Sequence, residues 1–219
     1  MVVAWFADTV SVDESHGRPY RRAGTLVPSP RQRILLEGTH RQTPETADLT
    51  VWTIGHSTRS AEEFLSVLVA HDIQLVIDVR RFPASRRLPQ FDSSALEHSL
   101  ARFDIGYRWL GALGGRRRPE PDSVNRGWRH SAFRAYADHV ASDEFAGGLF
   151  ELLLLAGGMR TTMMCAEVLW WRCHRRIIAD VLSSLDVPVI HIFDRTKTEA
   201  HRLTPPARII GGRLSYEEP

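Results

Sequence analysis

Between residues 51 and 193, short apolar runs alternate with segments of helical periodicity, and this alternation constrains the fold more than any other feature. The apolar runs are VWTIGHS, LVIDV, YRWLGALGG, TTMMCAE and VPVIHIF. Short, nearly all-apolar strands are typical of parallel sheets buried on both faces. Parallel neighbours need crossover connections, which the helical segments supply. We therefore predict a three-layer α/β fold, with a mostly parallel sheet covered by helices on both faces.

The helical segments carry recognisable start signals. Ser60 and Glu63 form a capping box, which predicts a helix from about residue 60. Asp92 or Ser94 is expected to cap a second helix, with Phe103 on its inner face. The remaining helices are predicted at residues 131–141, at 143–155 and from about Arg172.

The predicted domain organisation is one α/β domain over residues 50–195, which resembles a known family described below. Residues 1–49 are expected to form a flexible N-terminal extension, because the stretch ESHGRPYRRAGTLVPSPRQR mixes Pro, Gly, Ser and Arg without periodicity. Residues 196–219 show no clear pattern and are expected to form a C-terminal tail. A chain of 219 residues is long enough for one domain with a full core.

Composition excludes several classes of protein. No apolar run approaches the roughly 18 residues that a membrane helix needs, so we expect no membrane partner. Two cysteines cannot form a disulfide framework, and the opening stretch MVVAWFADTV lacks the basic region of a signal peptide. These observations predict a cytoplasmic protein whose thiols are free, catalytic or bound to a metal.

Polar side chains follow several of the predicted strands at the point where each strand ends. In an open parallel sheet, the ligand crevice lies beyond the carboxyl ends of the strands. We therefore expect these residues to converge at one edge of the sheet. They are His56 and Ser57, Asp78 and Arg80, Cys165 and Glu167, and Asp194.

The stretch CAEVLWWRCHRR holds both cysteines of the chain. A helix that begins near Arg172 places Cys173, His174 and Arg175 in its first turn, with the thiol facing the sheet. A thiol at a helix N-terminus beside arginines tends toward the reactive thiolate. The alternative is an inert buried thiol and a core histidine, and both interpretations predict burial.

The spacing of these residues is not that of a common thiol or zinc motif. Cys165 and Cys173 are eight residues apart, unlike a redox C-x-x-C pair. A phosphatase-type C-x5-R motif needs arginine at position 171, where Trp171 stands. His56, Cys165, Cys173 and His174 are chemically suitable metal ligands, although their spacing matches no standard zinc pattern.

Arginines are concentrated between Arg80 and Arg118, where nine arginines stand against three acidic residues. Arginine binds phosphate through paired N–H groups, so we expect Arg80 and Arg86 to face the crevice and bind an anion. Nearby aromatic side chains are candidates for stacking on bases. The alternative is a solvated loop with core aromatics. The aromatic candidates are Phe82, Phe91, Trp109 and Trp128.

Across about residues 51–193 the chain resembles the bacterial and archaeal family called domain of unknown function 488. The resemblance rests on TIGHSTRSAEEFLSVLVAHDI, LVIDVRRFPASRRLPQF, YRWLGALGG and CAEVLWWRCHRRIIADVL. These stretches contain, in order, the motifs G-H-S, D-V-R-x-F-P, L-G-G and C-A-E-x5-C-H-R. The motif positions that it carries over are Gly55, His56, Ser57, Asp78, Arg80, Pro83, Cys165, Glu167, Cys173, His174 and Arg175.

The resemblance implies no particular activity, since none is established for the family, although some members carry a DNA-repair label. One hypothesis is an enzyme that acts on a small phosphate-bearing, nucleotide-like ligand through acid–base or thiol chemistry. The other is a non-catalytic module that binds nucleic acid or a metal. The DNA-repair label of some members makes an association with DNA repair part of this second hypothesis. The sequence indicates neither a cofactor nor an oligomeric state.

The candidate site residues fall into three groups. The catalytic candidates are His56, Asp78, Cys165, Glu167, Cys173 and His174. The ligand- and anion-binding candidates are Ser57, Arg80, Arg86 and Arg175. The metal-ligand candidates are Cys165, Cys173, His174 and His56.

Overall fold

The computed structural model describes residues 49–218, so the predicted extension lies outside the described residues except for Leu49. The strands are β1 (Val51–Gly55), β2 (Leu75–Asp78), β3 (Gly106–Trp109), β4 (Thr161–Cys165), β5 (Val189–Ile192), β6 (Thr198–Ala200), β7 (Arg208–Ile210) and β8 (Arg213–Ser215). The α-helices are α1 (Ala61–Ala70), α2 (Ser93–Ala101), α3 (Ser131–Val140), α4 (Asp143–Ala156) and α5 (Arg175–Ser184). None of these five helices is long and apolar enough to cross a bilayer.

Six strands form one sheet in the order β3-β2-β4-β1-β5-β6. The first five are parallel to one another, and β6 runs antiparallel to β5. Strands β7 and β8 form a separate antiparallel hairpin. The prediction of a mostly parallel sheet in a three-layer α/β fold is confirmed.

The two faces of the sheet carry separate apolar cores, because side chains alternate along each strand. Val51 and Met163 belong to the core that the sheet shares with α3, α4 and α5. Ile54 and Met164 belong to the core shared with α1 and α2 on the opposite face. Burying one such side chain contributes roughly 1.5–3 kcal/mol, so the alternation fixes which face each helix covers.

The predicted helix starts hold for four of the five helices. Ser60 caps α1, where its side chain accepts from the N–H of Glu63 and the Glu63 carboxylate accepts from the N–H of Ser60. Asp92 caps α2 by accepting from the N–H of Ser94. The prediction that Phe103 lies on the inner face of this helix is wrong. The helix α2 ends at Ala101, and Phe103 is 49% exposed instead of facing the core.

The helix predicted from about Arg172 begins at Arg175, so the placement of Cys173 and His174 in its first turn is wrong. Residues Trp170–Arg172 form a 3₁₀ turn, Cys173 has extended backbone, and His174 is the N-cap of α5. The physical reason is the burial of Trp170, whose ring stacks on the ring of His191 at a centroid distance of 4.2 Å. That packing interrupts the helical path.

Residues beyond 195 contain three strands that no sequence pattern indicates. Strand β6 extends the main sheet along β5. Thr204 and Tyr216 are buried, and both donate hydrogen bonds to the buried carboxylate of Asp180 in α5. Residues after 195 therefore contact residues before it. The predicted domain boundary at residue 195 stays a prediction.

Candidate functional site

A cleft of about 1040 Å³ lies at the carboxyl ends of the parallel strands. Strands β2, β4 and β1 are neighbours, with Gly55 level with Cys165 and Asp78 level with Met164. The backbone N–H of His56 donates to the carbonyl of Cys165 at 2.9 Å, which ties the two strand ends together. The candidate residues that line the cleft are His56, Ser57, Arg80, Cys165, Glu167, Cys173 and His174.

Cys165, Cys173 and His174 form a compact cluster on one wall of this cleft. Their potential ligand atoms all lie within 4.8 Å of one another. The Cys173 Sγ is 3.5 Å from Nδ1 of His174, and Nε2 of His174 is 2.9 Å from the carbonyl of Val79. A carbonyl only accepts, so Nε2 carries a proton and Nδ1 faces the thiol.

The two cysteines are electrostatically different. Burial raises the pKa of Cys173, but the hydrogen bond from Cys165 and the charges of His174 and Arg175 outweigh it, so this pKa lies well below its ordinary value. The hydrogen bond to Cys173, together with burial, raises the pKa of Cys165 well above its ordinary value. Of the two cysteines, Cys173 is therefore the one whose surroundings favour the thiolate.

Arg175 lies behind the cleft and is 1% exposed. Its Nε donates to the Cys173 Sγ at 3.4 Å, and Nη2 donates to the carbonyls of Glu167 and Val168. Within residues 49–218 no carboxylate forms an ion pair with it. A buried charge needs a compensating partner, and the Cys173 sulfur is the group beside Arg175 that can carry a negative charge. The anion-binding role of Arg175 stays a prediction.

Asp78, the last residue of β2, and Arg80, which lines the cleft, form a buried ion pair. The guanidinium donates through Nε and Nη2 to both carboxylate oxygens, with the Nη2 contact at 2.6 Å. Tyr107 donates to the same carboxylate at 2.8 Å, and Nη1 of Arg80 donates to the carbonyl of Phe91 at 2.8 Å. Nε, Nη1 and Nη2 of Arg80 thus all donate to other groups of the protein. Few N–H groups remain for the anion that the sequence analysis assigned to Arg80.

His56 is buried beside this ion pair. Its ring stacks on Phe91 at 4.0 Å, and Nδ1 donates to the carbonyl of Ser57 at 2.9 Å. Burial lowers the pKa of His56 to about 4, with a further contribution from the charge of Arg80. The ring is therefore neutral at neutral pH, with Nε2 as an acceptor 3.5 Å from Nη1 of Arg80.

Gly55 and Glu167 show how closely the ends of β1 and β4 approach. A Cβ at Gly55 would lie 2.0 Å from the carbonyl oxygen of Glu167, so only glycine fits there. The Glu167 carboxylate is exposed and accepts from the N–H of Leu169 at 3.3 Å. It makes no hydrogen bond to His56 or His174 in the described part of the chain, so the general-base role predicted for it stays a prediction.

Three exposed arginines line the cleft in addition to the buried Arg80. Arg87, Arg116 and Arg172 have no ion-pair partner among residues 49–218. Arg86 is also exposed but lies outside the cleft lining. Anion binding by the arginine-rich segment stays a prediction. Which of two adjacent arginines lines the cleft depends on side-chain direction, which the sequence does not encode locally.

Two exposed aromatic side chains stand at the cleft. Phe82 is 65% exposed and Trp171 is 39% exposed, and both belong to its lining. Phe91 and Trp128 are buried in the cores, which agrees with the alternative of core aromatics for these two residues. Trp109 is exposed, but its Nε1 donates to the carbonyl of Arg80 and it lies outside the cleft lining.

The comparison with protein families gives one match, to the model described as Domain of unknown function DUF488, over residues 60–182. This match covers more than half of the chain. The chain belongs to the DUF488 family. The DUF488 region includes the Cys165, Cys173 and His174 cluster and the Asp78–Arg80 pair, whereas His56 and Ser57 precede it. No curated protein and no solved structure matches the chain.

Proposed function

We propose that this DUF488 protein is an enzyme that hydrolyses a phosphate-bearing, nucleotide-like ligand through the thiolate of Cys173. The observation that carries the proposal is the position of the Cys173 Sγ, between Nδ1 of His174 at 3.5 Å and Nε of Arg175 at 3.4 Å. A thiolate held beside an imidazole and a guanidinium is an activated nucleophile. The thiolate also lies on the wall of a cleft that is large enough for a nucleotide.

The proposed reaction has two steps that balance. In the proposed resting state, the proton that Cys173 gives up resides on Nδ1 of His174. The Cys173 thiolate attacks an electrophilic carbon or phosphorus of the ligand, and the leaving group takes this Nδ1 proton. Neutral His174 then removes a proton from water, and the resulting hydroxide displaces the thiolate and releases the product. The carbonyl of Val79 holds the Nε2 proton of His174 throughout, which keeps Nδ1 directed at the sulfur.

The lining of the cleft supports the choice of ligand. Arg87, Arg116 and Arg172 supply guanidinium groups without ion-pair partners, which suit phosphate oxygens. Phe82 and Trp171 supply exposed rings on which a base can stack. Together these features favour a ligand with both an anionic and an aromatic part.

The ligand is tested by replacing adjacent arginines. Arg87→Ala should weaken binding of adenosine monophosphate or pyrophosphate by about tenfold, because it removes a charge-assisted hydrogen-bond donor. Arg86→Ala is the matched control, since Arg86 is exposed but lies outside the cleft lining. Equal effects of the two substitutions would contradict this ligand site.

A second candidate function is supported by the same cluster. Two thiols and one imidazole with ligand atoms within 4.8 Å of one another suit a zinc-type ion. The bond from Nε2 of His174 to the carbonyl of Val79 is the outer contact that metal-bound histidines usually make. In this version the protein is a metal-binding module, with or without catalysis.

The catalytic proposal is tested by turnover of nucleoside phosphates and their esters, followed as release of phosphate or base. Cys173→Ala should abolish turnover, whereas Ser99→Ala should not, since Ser99 lies in α2 on the opposite face of the sheet. Turnover that survives Cys173→Ala would overturn the proposal. If the purified protein holds one metal ion per chain and a chelator abolishes turnover, the metal centre is favoured. If the protein binds nucleic acid in a salt-dependent way and turns nothing over, a non-catalytic module is favoured.

The proposed setting is the cytoplasm. The two cysteines lie together on one wall of the cleft and are free thiols, and reduced thiols persist in that compartment. The thiolate chemistry proposed for Cys173 needs this reduced state.

A further inference from the structure

A continuous chain of buried polar side chains starts at Arg175, the first residue of α5, passes through Thr53 of β1 and His191 of β5, and returns to Asp180 of the same helix. Its links are Arg175 Nη1 to Thr53 Oγ1 at 3.4 Å, Thr53 Oγ1 to His191 Nδ1 at 2.7 Å, His191 Nε2 to His201 Nδ1 at 3.0 Å, and His201 Nε2 to Asp180 Oδ1 at 2.9 Å. The proposed reaction at Cys173 uses none of the last four residues directly. Thr53 lies in β1 and His191 in β5. His201 directly follows β6, and Asp180 lies in α5.

With both imidazoles neutral, the chemistry of the two ends fixes the direction of every hydrogen bond. Arg175 only donates, so the Thr53 hydroxyl accepts from it and donates its own proton to Nδ1 of His191. His191 is then protonated at Nε2 and donates to His201, which is protonated at Nε2 in turn and donates to Asp180. A carboxylate only accepts, so this single arrangement of protons satisfies every group.

The far end of the chain is held rigidly. The Asp180 carboxylate also accepts from the N–H of Thr204 at 2.8 Å, from its hydroxyl at 2.5 Å, and from Tyr216 at 2.9 Å. Trp170 lies flat against His191, with an angle of 7° between the rings. Burial lowers the pKa of His191 to about 2, so this ring stays neutral.

We propose that Thr53, His191, His201 and Asp180 are positioning residues that hold the Arg175 guanidinium with Nε directed at the Cys173 sulfur. The proposal rests on the function proposed for Cys173 and deepens it. Thr53 is the one side chain that accepts from Nη1 of Arg175 within residues 49–218, and its acceptor lone pair faces Arg175 because its proton is engaged by His191. Without that contact the guanidinium is held only through Nη2, at the carbonyls of Glu167 and Val168, so the direction of Nε toward the sulfur is less fixed.

The test is Thr53→Val, with Thr162→Val as the matched control. Both threonines are buried in adjacent strands, but the Thr162 hydroxyl has no hydrogen-bond partner in the described structure. Thr53→Val should slow alkylation of Cys173 at neutral pH by about threefold to tenfold, because a donor to the thiolate loses its orientation. Thr162→Val should leave the rate unchanged.

The outcomes separate this inference from the function on which it rests. A reactive Cys173 that is equally slowed by both substitutions, or by neither, would overturn the positioning role and leave the proposed function intact. A Cys173 that is already unreactive in the unaltered protein would overturn the proposed function instead. The histidine chain is then still testable, because its proton arrangement can be observed directly.

Nuclear magnetic resonance of the ring nitrogens provides that second readout. His191 and His201 are both expected to carry their proton on Nε2, with Nδ1 unprotonated. Asp180→Asn should disturb this arrangement and lower the alkylation rate of Cys173 together with it. Protonation of either ring at Nδ1 in the unaltered protein would contradict the directed chain and, with it, the positioning role.

Discussion

At the scale of single residues, the site depends on charges that are buried in pairs. Asp78 and Arg80 compensate each other below the cleft, and the Cys173 thiolate compensates Arg175 behind it. Removing one member of such a pair leaves the other charge buried without a partner, which costs far more than the pair itself contributes.

The first prediction concerns the Asp78–Arg80 pair. Asp78→Asn should lower the free energy of unfolding by roughly 3 kcal/mol, since it leaves Arg80 buried without its counter-charge. Glu151→Gln is the control, since it breaks a largely exposed pair with Arg108. It should change the free energy of unfolding by less than about 1 kcal/mol. Urea unfolding of both variants measures the difference, and similar losses would contradict the electrostatic interpretation.

The second prediction concerns the pH dependence that His56 introduces. The pKa of His56 falls from 6.5 to about 4 on folding, so the unfolded chain binds its proton more readily between these values. Stability from this group is therefore complete above pH 6.5 and is lost as the pH falls toward 4, by up to about 3 kcal/mol. A titration of the His56 ring by nuclear magnetic resonance checks this, and a midpoint near 6.5 in the folded protein would refute it.

At the scale of secondary-structure elements, the sequence predicts the sheet and most helix starts because these depend on local signals. The capping box at Ser60 and the apolar strands β1, β2 and β4 are confirmed by the structure. The start of α5 was misplaced because Trp170 packs on His191, a contact between distant residues. His191 carried one local signal, a histidine within the apolar run VPVIHIF, but its partners His201 and Asp180 come from other elements.

The third prediction tests the close approach of β1 to the loop after β4. Gly55→Ala should lower the free energy of unfolding by about 2 kcal/mol or more, because its Cβ would overlap the carbonyl of Glu167. Gly147→Ala in α4 is the matched control, since a Cβ there meets nothing within 4 Å. That substitution should stabilise the helix by about 0.5–1 kcal/mol, because glycine is a poor helix former. Equal effects at both positions would show that the strand ends are not tightly packed.

At the scale of the whole molecule, the cleft combines elements that are distant in the chain. The polar residues that end β1, β2 and β4 were predicted to converge, and the register of these strands brings them together. The identity of the free arginines and the contacts of Arg175 could not be predicted, because they depend on which donors are already used by buried partners. The three short strands beyond residue 195 carry too little periodicity to be recognised.

The fourth prediction concerns these last strands. A chain that ends at residue 195 should unfold at a markedly lower urea concentration, because Asp180 loses its hydrogen bonds from His201, Thr204 and Tyr216. If the shortened chain keeps the stability of the full one, residues 196–219 act as a tail that contributes nothing to the core.

The central claim is that Cys173 is a stabilised thiolate on the wall of the cleft. Its most direct test is the rate of alkylation of each cysteine in the folded protein as a function of pH, resolved by mass spectrometry of the peptides and repeated with a chelator. We predict that Cys173 reacts with a midpoint well below that of an ordinary thiol, that Cys165 does not, and that the chelator changes neither. Two thiols that stay unreactive at every pH until the protein unfolds, with or without the chelator, would contradict the claim.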